Sequence, residues 1–228
     1  MFERIPFIQT LALFADVSPE DCWTIISAAQ QQCVWERQTL FYEGDRVQNV
    51  TMLFSGCVKL KQLTTQGDEV ILRLTSSGEL VGTLDLSGIG RHSSTAEAIK
   101  TSILLVWGLE KFEEYLERFA AFRRNAVRLL EARLRELEER YLEVSTEEVG
   151  PRLSNELIRL SERFGQPVNG QHREIQLSQR ELAQLTATTL STVSRLLCEW
   201  ERRGIVSLKR GAIQIRDLVA LRQLALSE

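Results

Sequence analysis

Between residues 33 and 108 the apolar positions come in short runs, VWERQTLFYE, VTMLFSGCVKLKQLT, EVILRLTS and AIKTSILLVWG. Gly44, Gly56, Gly67 and Gly78 punctuate them at spacings of 12, 11 and 11 residues. Short runs of β-branched and aromatic residues, with a turn signal every 8–12 positions, predict an antiparallel all-β sandwich or barrel. Ahead of them, Ser18 as N-cap, Pro19 at the first helical position and Asp21 at the third predict a helix. That helix is expected to run through Cys22–Ile26 to the Gln30-Gln31-Gln32 stretch.

From Leu109 the period changes. Residues 109–116 read as a short helix. After it, apolar side chains fall at Val127, Leu130, Leu134, Leu137, Tyr141 and Val144, spaced 3-4-3-4-3 and flanked by Arg and Glu. A helix packed only on its own domain carries a wider apolar stripe, so this narrow heptad seam predicts pairing with a second helix, most economically that of an identical chain. Ser145-Thr146-Glu147-Glu148 breaks the seam, and 145–149 reads as a hinge. Pro151 is compatible only with the first turn of the next helix, which is expected to end near Gly165.

The segment LSQRELAQLTATTLSTVSRLLCEWERRGIVSLKRGAIQI, residues 177–215, carries the most chemistry. Ser178 with Glu181 forms a capping box for a short helix to about Thr186. Ala187-Thr188-Thr189 is a tight turn, Thr189 is the next N-cap, and a second helix runs from Leu190 to about Arg203 and stops at Gly204. Apolar positions at Leu182, Ala183, Leu185, Val193, Leu196 and Leu197 pack the pair. Ser191, Thr192, Ser194 and Arg195 are left on the exposed start of the second helix, the arrangement that enters a DNA major groove, where an arginine holds guanine O6 and N7. Residues 205–208 and 212–215 then form a β-hairpin, a wing whose cationic tip Lys209-Arg210-Gly211 suits phosphate.

Charge sharpens this picture. The 228 residues carry a net −3, but residues 151–228 hold 12 Lys/Arg against 8 Asp/Glu, while residues 1–108 hold 8 against 12. A basic last third behind an acidic remainder suits a polyanion. No run approaches the roughly 20 apolar residues of a membrane span, and the acidic, site-less N-terminus is unlike a secretory signal, so a cytoplasmic protein is expected. Cys22, Cys33, Cys57 and Cys198 include no C-x-x-C pair, which argues against structural zinc. With His92 and His172 as its two histidines and no G-x-S-x-G or H-E-x-x-H, the chain offers no catalytic or metal set, and it does not read as an enzyme.

Taken together, the Gly44-Asp45, Gly56-Cys57-Val58-Lys59-Leu60, Gly67, Gly78 and Gly82 pattern, the Thr95-Ala96-Glu97-Ala98 strand, the heptad helix and LAQLTATTLSTVSRLL resemble the CRP/FNR superfamily of bacterial transcription regulators over nearly the whole chain. The resemblance implies an α+β chain in three parts. Residues 1–118 would form an antiparallel, jelly-roll-like β-roll that senses an effector. Residues 119–148 would form a dimerisation helix with its hinge, and residues 149–228 a winged helix-turn-helix. It further implies a homodimer on near-palindromic double-stranded DNA and contact with RNA polymerase. Thr188, Thr189, Leu190, Ser191, Thr192, Ser194, Arg195, Arg180, Lys209 and Arg210 would form the DNA face. In the family's E-x-x-S-R pattern Ser194 and Arg195 stand in place, but Ser191 occupies the Glu position. A carboxylate there accepts from cytosine N4 and a serine discriminates less, so a different half-site that keeps its guanine is expected.

The effector pocket departs further. Cyclic-nucleotide relatives carry Gly-Glu and then Arg-Ser, the Glu for ribose and the Arg for phosphate. Alignment on Thr95–Ala98 places Gly82-Thr83 and His92-Ser93 there, with Arg91 one residue away, so a cyclic nucleotide is not expected. Gly82, Thr83, Leu84, Arg91, His92 and Ser93, beside Leu80, Val81 and Leu86, would line an inherited pocket for some other small effector, or for no effector at all. Iron–sulfur chemistry lacks its cysteine cluster. Two alternatives remain: a haem-based gas or redox sensor with His92 as ligand, and a cyclic-nucleotide-binding module acting on protein partners.

Overall fold

The computed structural model describes residues 5–84, 90–168 and 172–226; Leu86 lies outside them. The chain forms two compact units, residues 1–68 with 72–135 and residues 136–228 with 69–71. The division therefore falls inside one long helix.

In the first unit α1 (Ile5–Gln9) and a 3-10 turn lead to α2 (Pro19–Ser27), which starts as its cap residues require, the Ser18 hydroxyl accepting the Asp21 N–H at 3.1 Å. The helix does not reach the glutamines. It closes at Ala28, and β1 (Gln30–Val34) pairs with residues 102–106 of β6 (Thr95–Gly108). Glutamine has no strong preference, so the partner strand decides its state, and Val34 anchors the edge by entering the interior.

The spine of the sheet is β3 (Asn49–Leu63) antiparallel to β6, from Asn49↔Gly108 to Lys61↔Thr95. β2 (Thr39–Phe41) adds to β6, while β4 (Glu69–Thr75) and β5 (Leu80–Val81) add to β3. Pleating divides the side chains. Leu53, Val58, Leu60, Ala96, Ala98 and Leu104 fill the inside of the roll. Met52, Leu105 and Trp107 face the other way, onto Phe14, Ile25, Phe112 and Phe122 from α2's surroundings, α3 (Leu109–Arg118) and the start of α4 (Ala120–Thr146). Trp107 Nε1 donates to the Ile25 carbonyl at 2.7 Å, so this buried indole has its partner. The four spaced glycines all take positive φ. At Gly56, with φ +117°, the register of β3 on β6 shifts, and a Cβ would stand 2.1 Å from Ser102 Oγ. That hydroxyl accepts the Cys57 N–H at 3.1 Å, so the bulge and its serine are one feature.

The second unit continues α4 and adds α5 (Val149–Phe164), whose second and third residues are Gly150 and Pro151. A hairpin absent from the sequence reading, β7 (Gln166–Val168) and β8 (His172–Ile175), joins β9 (Val206–Lys209) and β10 (Ala212–Ile215) in the order β7-β8-β10-β9. Between them lie α6 (Gln179–Leu185) and α7 (Leu190–Arg202), and the short α8 (Leu218–Ala225), also unforeseen, follows. α8 is held to α5 by Ser154 Oγ donating to the Leu221 carbonyl at 2.5 Å.

Candidate nucleic-acid interface and effector pocket

The turn between α6 and α7 is built locally and locked from a distance. Ser178 and Glu181 close a full capping box on α6. Ala187 takes φ +49° in the turn, a left-handed conformation that alanine adopts at some cost. Thr189 caps α7 by accepting the Thr192 N–H at 3.2 Å, and its hydroxyl also lies 2.9 Å from those of Ser191 and Thr192. Sequence reasoning missed the lock. Arg152, 8% exposed, donates from Nε to the Thr186 carbonyl at 2.9 Å and so ties α5 to the turn. An arginine one residue after Pro151 carries no local signal of that partner 34 residues away.

Val193, Leu197 and Trp200 bury the inner face of α7. Ser191 and Arg195, four apart, share its outer face, with Leu190 exposed at the start and Ser194 and Thr192 half-buried at the edges. Thr188 is half-buried in the turn, and Arg180 is exposed at the start of α6. Arg180, Arg195 and Arg210 have no ion pair among the described residues, so three guanidinium groups are available to an anion. Lys209 differs. It sits in β9 opposite Ala212, not in the turn, and its amine reaches across the sheet to the Glu174 carboxylate. The turn is Arg210-Gly211 alone, with Gly211 at φ +73°. The cationic tip expected of two residues therefore rests on Arg210. Glu201 braces the wing by accepting the Leu208 N–H at 2.7 Å.

In the β-roll two of the named pocket residues, Thr83 and Ser93, engage one another, and Arg91 and His92 engage other parts of the chain. Ser93 N donates to Thr83 Oγ1 at 3.3 Å, and the two hydroxyls lie 3.4 Å apart. Gln62 donates to the Ser93 carbonyl at 2.5 Å. Arg91 turns away to donate to the Gly44 carbonyl at 2.6 Å. His92 is buried, its ring stacked on Phe41 with centroids 3.6 Å apart, and its Nδ1 has no hydrogen-bond partner among the described residues. Burial pulls the His92 pKa below its usual 6.5, against a smaller opposite pull from Asp45. Gly82, with φ +79°, lies so close that a Cβ would meet the Phe41 ring at 2.4 Å and His92 Nδ1 at 3.1 Å. Leu80 and Val81 belong to the packed cores and Leu84 packs against one of them. Two participants were not foreseen: Phe41, and Arg133 of α4, which donates to the Gly82 carbonyl at 2.7 Å. A cavity of about 460 Å³ adjoins this cluster through Phe41 and His92 and is lined also by Gln38, Asp45, Arg46 and others, but not by Gly82, Thr83 or Ser93.

Cys22 and Cys57 are buried and Cys33 and Cys198 exposed. Burial, with Asp21 nearby, pushes the Cys22 thiol up to about 11, an inert packing residue. Val127, Leu130, Leu134, Leu137, Tyr141 and Val144 of α4 are all exposed, from 38% at Leu130 to 75% at Tyr141.

Residues 151–224 match the family model of a Crp-like helix-turn-helix domain, and residues 34–119 that of a cyclic nucleotide-binding domain. The cyclic AMP receptor protein of Thermus thermophilus is 30% identical over 213 residues, which is 93% of this chain and 96% of that one. The fumarate and nitrate reduction regulatory protein of Escherichia coli is 30% identical over 189 residues, 82% of this chain and 75% of that one. The structure of FixK2 from Bradyrhizobium japonicum superposes with a TM-score of 0.75 at 21% identity, covering 88% of this chain and 98% of that one, a likeness of fold. With an antiparallel β-roll, a long helix and a C-terminal helix-turn-helix in that order, the chain belongs to the CRP/FNR family of transcription regulators.

Proposed function

We propose that the chain acts as a homodimer on a near-palindromic DNA operator, inserting α7 of each protomer into the major groove of a half-site. The observation that carries this reading is the outer face of α7, where Ser191 and Arg195 stand exposed on a helix whose other face is sealed by Val193, Leu197 and Trp200. Arg195 takes guanine through two hydrogen bonds, Leu190 meets a thymine methyl, and Ser191 replaces a stronger base-reading group. Arg210, Arg180 and the backbone of the α6–α7 turn hold phosphates and position the helix. The six exposed apolar residues of α4 supply the dimer contact. Two-fold symmetry places the half-sites about one helical turn, roughly 34 Å, apart. The regulator acts through binding rather than catalysis, with RNA polymerase as the partner its family points to.

In this reading the β-roll does not take a cyclic nucleotide. Thr83 and Ser93 are bonded to each other, no carboxylate stands at position 83 for a ribose, and Arg91 is held by Gly44. Haem is left out of this reading because His92 is buried, packed against the Phe41 ring and Gly82. An effector of another class, or none, acts on this domain.

Arg195→Ala tests the proposal. The variant is expected to lose specific binding to an operator selected from random DNA by the wild type, while its oligomeric state is unchanged. Undiminished binding of that operator would overturn the assignment of α7 to the major groove.

A further inference from the structure

The second half of α4 carries two faces. Glu136, Arg140 and Glu143 recur at helical spacing, and each is followed by a seam residue, Leu137, Tyr141 and Val144, about 100° further round the helix. The charged face does not point to solvent. It meets Glu156, Arg159 and Arg163 of α5, which recur at the matching interval. Arg159 forks onto both oxygens of Glu143, the second at 2.8 Å, and reaches Glu156 at 2.8 Å. Arg140 donates to both oxygens of Glu156 at 2.9 and 3.1 Å, and Arg163 donates to Glu136 at 2.9 Å. Glu156 is 1% exposed and receives two guanidinium groups. Burial opposes the charge on Arg159, but the hydrogen bonds and charges of Glu143 and Glu156 outweigh it and raise its pKa. Three carboxylates and three guanidinium groups balance.

An apolar contact of the same area would hold α4 to α5 as firmly, yet it would let one helix slip or roll on the other. Forked charge pairs in a low-dielectric interface do not, because displacement leaves a buried charge unpaired. The loop between the helices is tied too, Arg152 donating to the Glu147 carbonyl at 3.3 Å and Asn155 to the Glu147 carboxylate at 3.3 Å.

We infer that the Glu136-Arg140-Glu143/Glu156-Arg159-Arg163 cluster locks the α4 seam to the DNA-binding domain and thereby sets the half-site spacing that the dimer accepts, with Glu156 the central positioning residue. The inference rests on the proposed dimer and operator: seam residues 137–144 travel with α5 and the α6–α7 turn it anchors, so pairing of two seams fixes the distance between two copies of α7. Within residues 145–149, expected to be a hinge, Glu147 is tied to Arg152 and Asn155 of α5.

The test uses the full chain, wild type and Glu156→Gln, and operators selected by the wild type whose half-sites are then moved one base pair nearer or further. One base pair is expected to cost the wild type roughly tenfold or more in affinity. The same change is expected to cost Glu156→Gln only about two- to threefold, with binding to an isolated half-site unchanged. An undiminished spacing penalty in the variant would overturn the inference. Glu143→Gln, which leaves Glu156 with both arginines, supplies an intermediate response should Glu156→Gln fail to fold. Amide exchange provides a readout without DNA. Residues 137–146 should be protected as well as α5 in the wild type and lose protection in the variants. Fast exchange of 137–146 beside a protected α5 in the wild type would refute the lock itself. A wild type that is monomeric, or indifferent to a second half-site, would instead refute the dimer reading while the exchange result still decides the lock.

Discussion

Leu137→Ala isolates the seam from everything else in the molecule. In the single chain Leu137 is 61% exposed, so the fold of one protomer gains little from its side chain. Pairing would bury that exposed fraction. Full burial of a leucine is worth about 1.5–3 kcal/mol, so the exposed three-fifths is worth roughly 1–2 kcal/mol per protomer and roughly 2–4 kcal/mol per dimer, since both chains carry the change. At about 1.4 kcal/mol per factor of ten, the dimer dissociation constant should rise roughly 30- to 1000-fold. Alanine keeps helix propensity, so monomer stability should move by less than about 0.5 kcal/mol. Sedimentation velocity over a dilution series measures the first quantity and urea unfolding of the diluted monomer the second. An unchanged dissociation constant would refute pairing through this face, and a large loss of monomer stability would show that Leu137 packs within its own chain.

Three further outcomes follow from other parts of the structure. Arg210→Ala should lower the salt dependence of DNA binding by about one phosphate contact per protomer, while Lys209→Ala should change it far less because its amine is engaged by Glu174; equal slopes for both variants would contradict that pairing. Gly56→Ala must place a Cβ 2.1 Å from Ser102 Oγ at φ +117°, so a loss of about 3 kcal/mol or more in urea unfolding is expected, and a near-neutral result would mean the bulge is not as described. His92 has a native pKa below its usual 6.5, so the unfolded chain binds the extra proton more readily. Its contribution is complete above pH 6.5 and declines as pH falls from there toward the native pKa; urea midpoints of the wild type should show that decline relative to His92→Gln, and parallel curves would remove His92 as its cause.

Local chemistry was legible where the partner lies within about one turn. Ser18 and Ser178 announced their helices because the groups they cap are three residues on. The heptad spacing of α4 was legible for the same reason, as was the α6–α7 pair. Elsewhere a residue's state depended on a distant partner. Gln30–Gln32 became a strand because residues 104–106 offered hydrogen bonds to their edge. Lys209 left the wing tip because Glu174, 35 residues earlier, stood opposite across the sheet. His92 is buried because Phe41, remote in sequence, stacks on it. Arg133 could be read as one of many charges flanking the seam until the fold set it against Gly82.

The sequence by itself determined the order of parts, a glycine-turned β-roll, a seamed helix and a capped helix pair with Arg195 outward, because periodicity, caps and turns act between neighbours along the chain. Only the tertiary structure decided which charges are free and which are engaged. Arg195 and Arg210 stay available, whereas Lys209, Arg140, Arg159 and Arg163 are paired. It also decided that Ser93 bonds to Thr83 and that His92 stacks on Phe41. The physical reason is that a charge or an aromatic ring is read by what is brought within a few ångströms of it, and that distance is set by chain reversal, not by sequence separation.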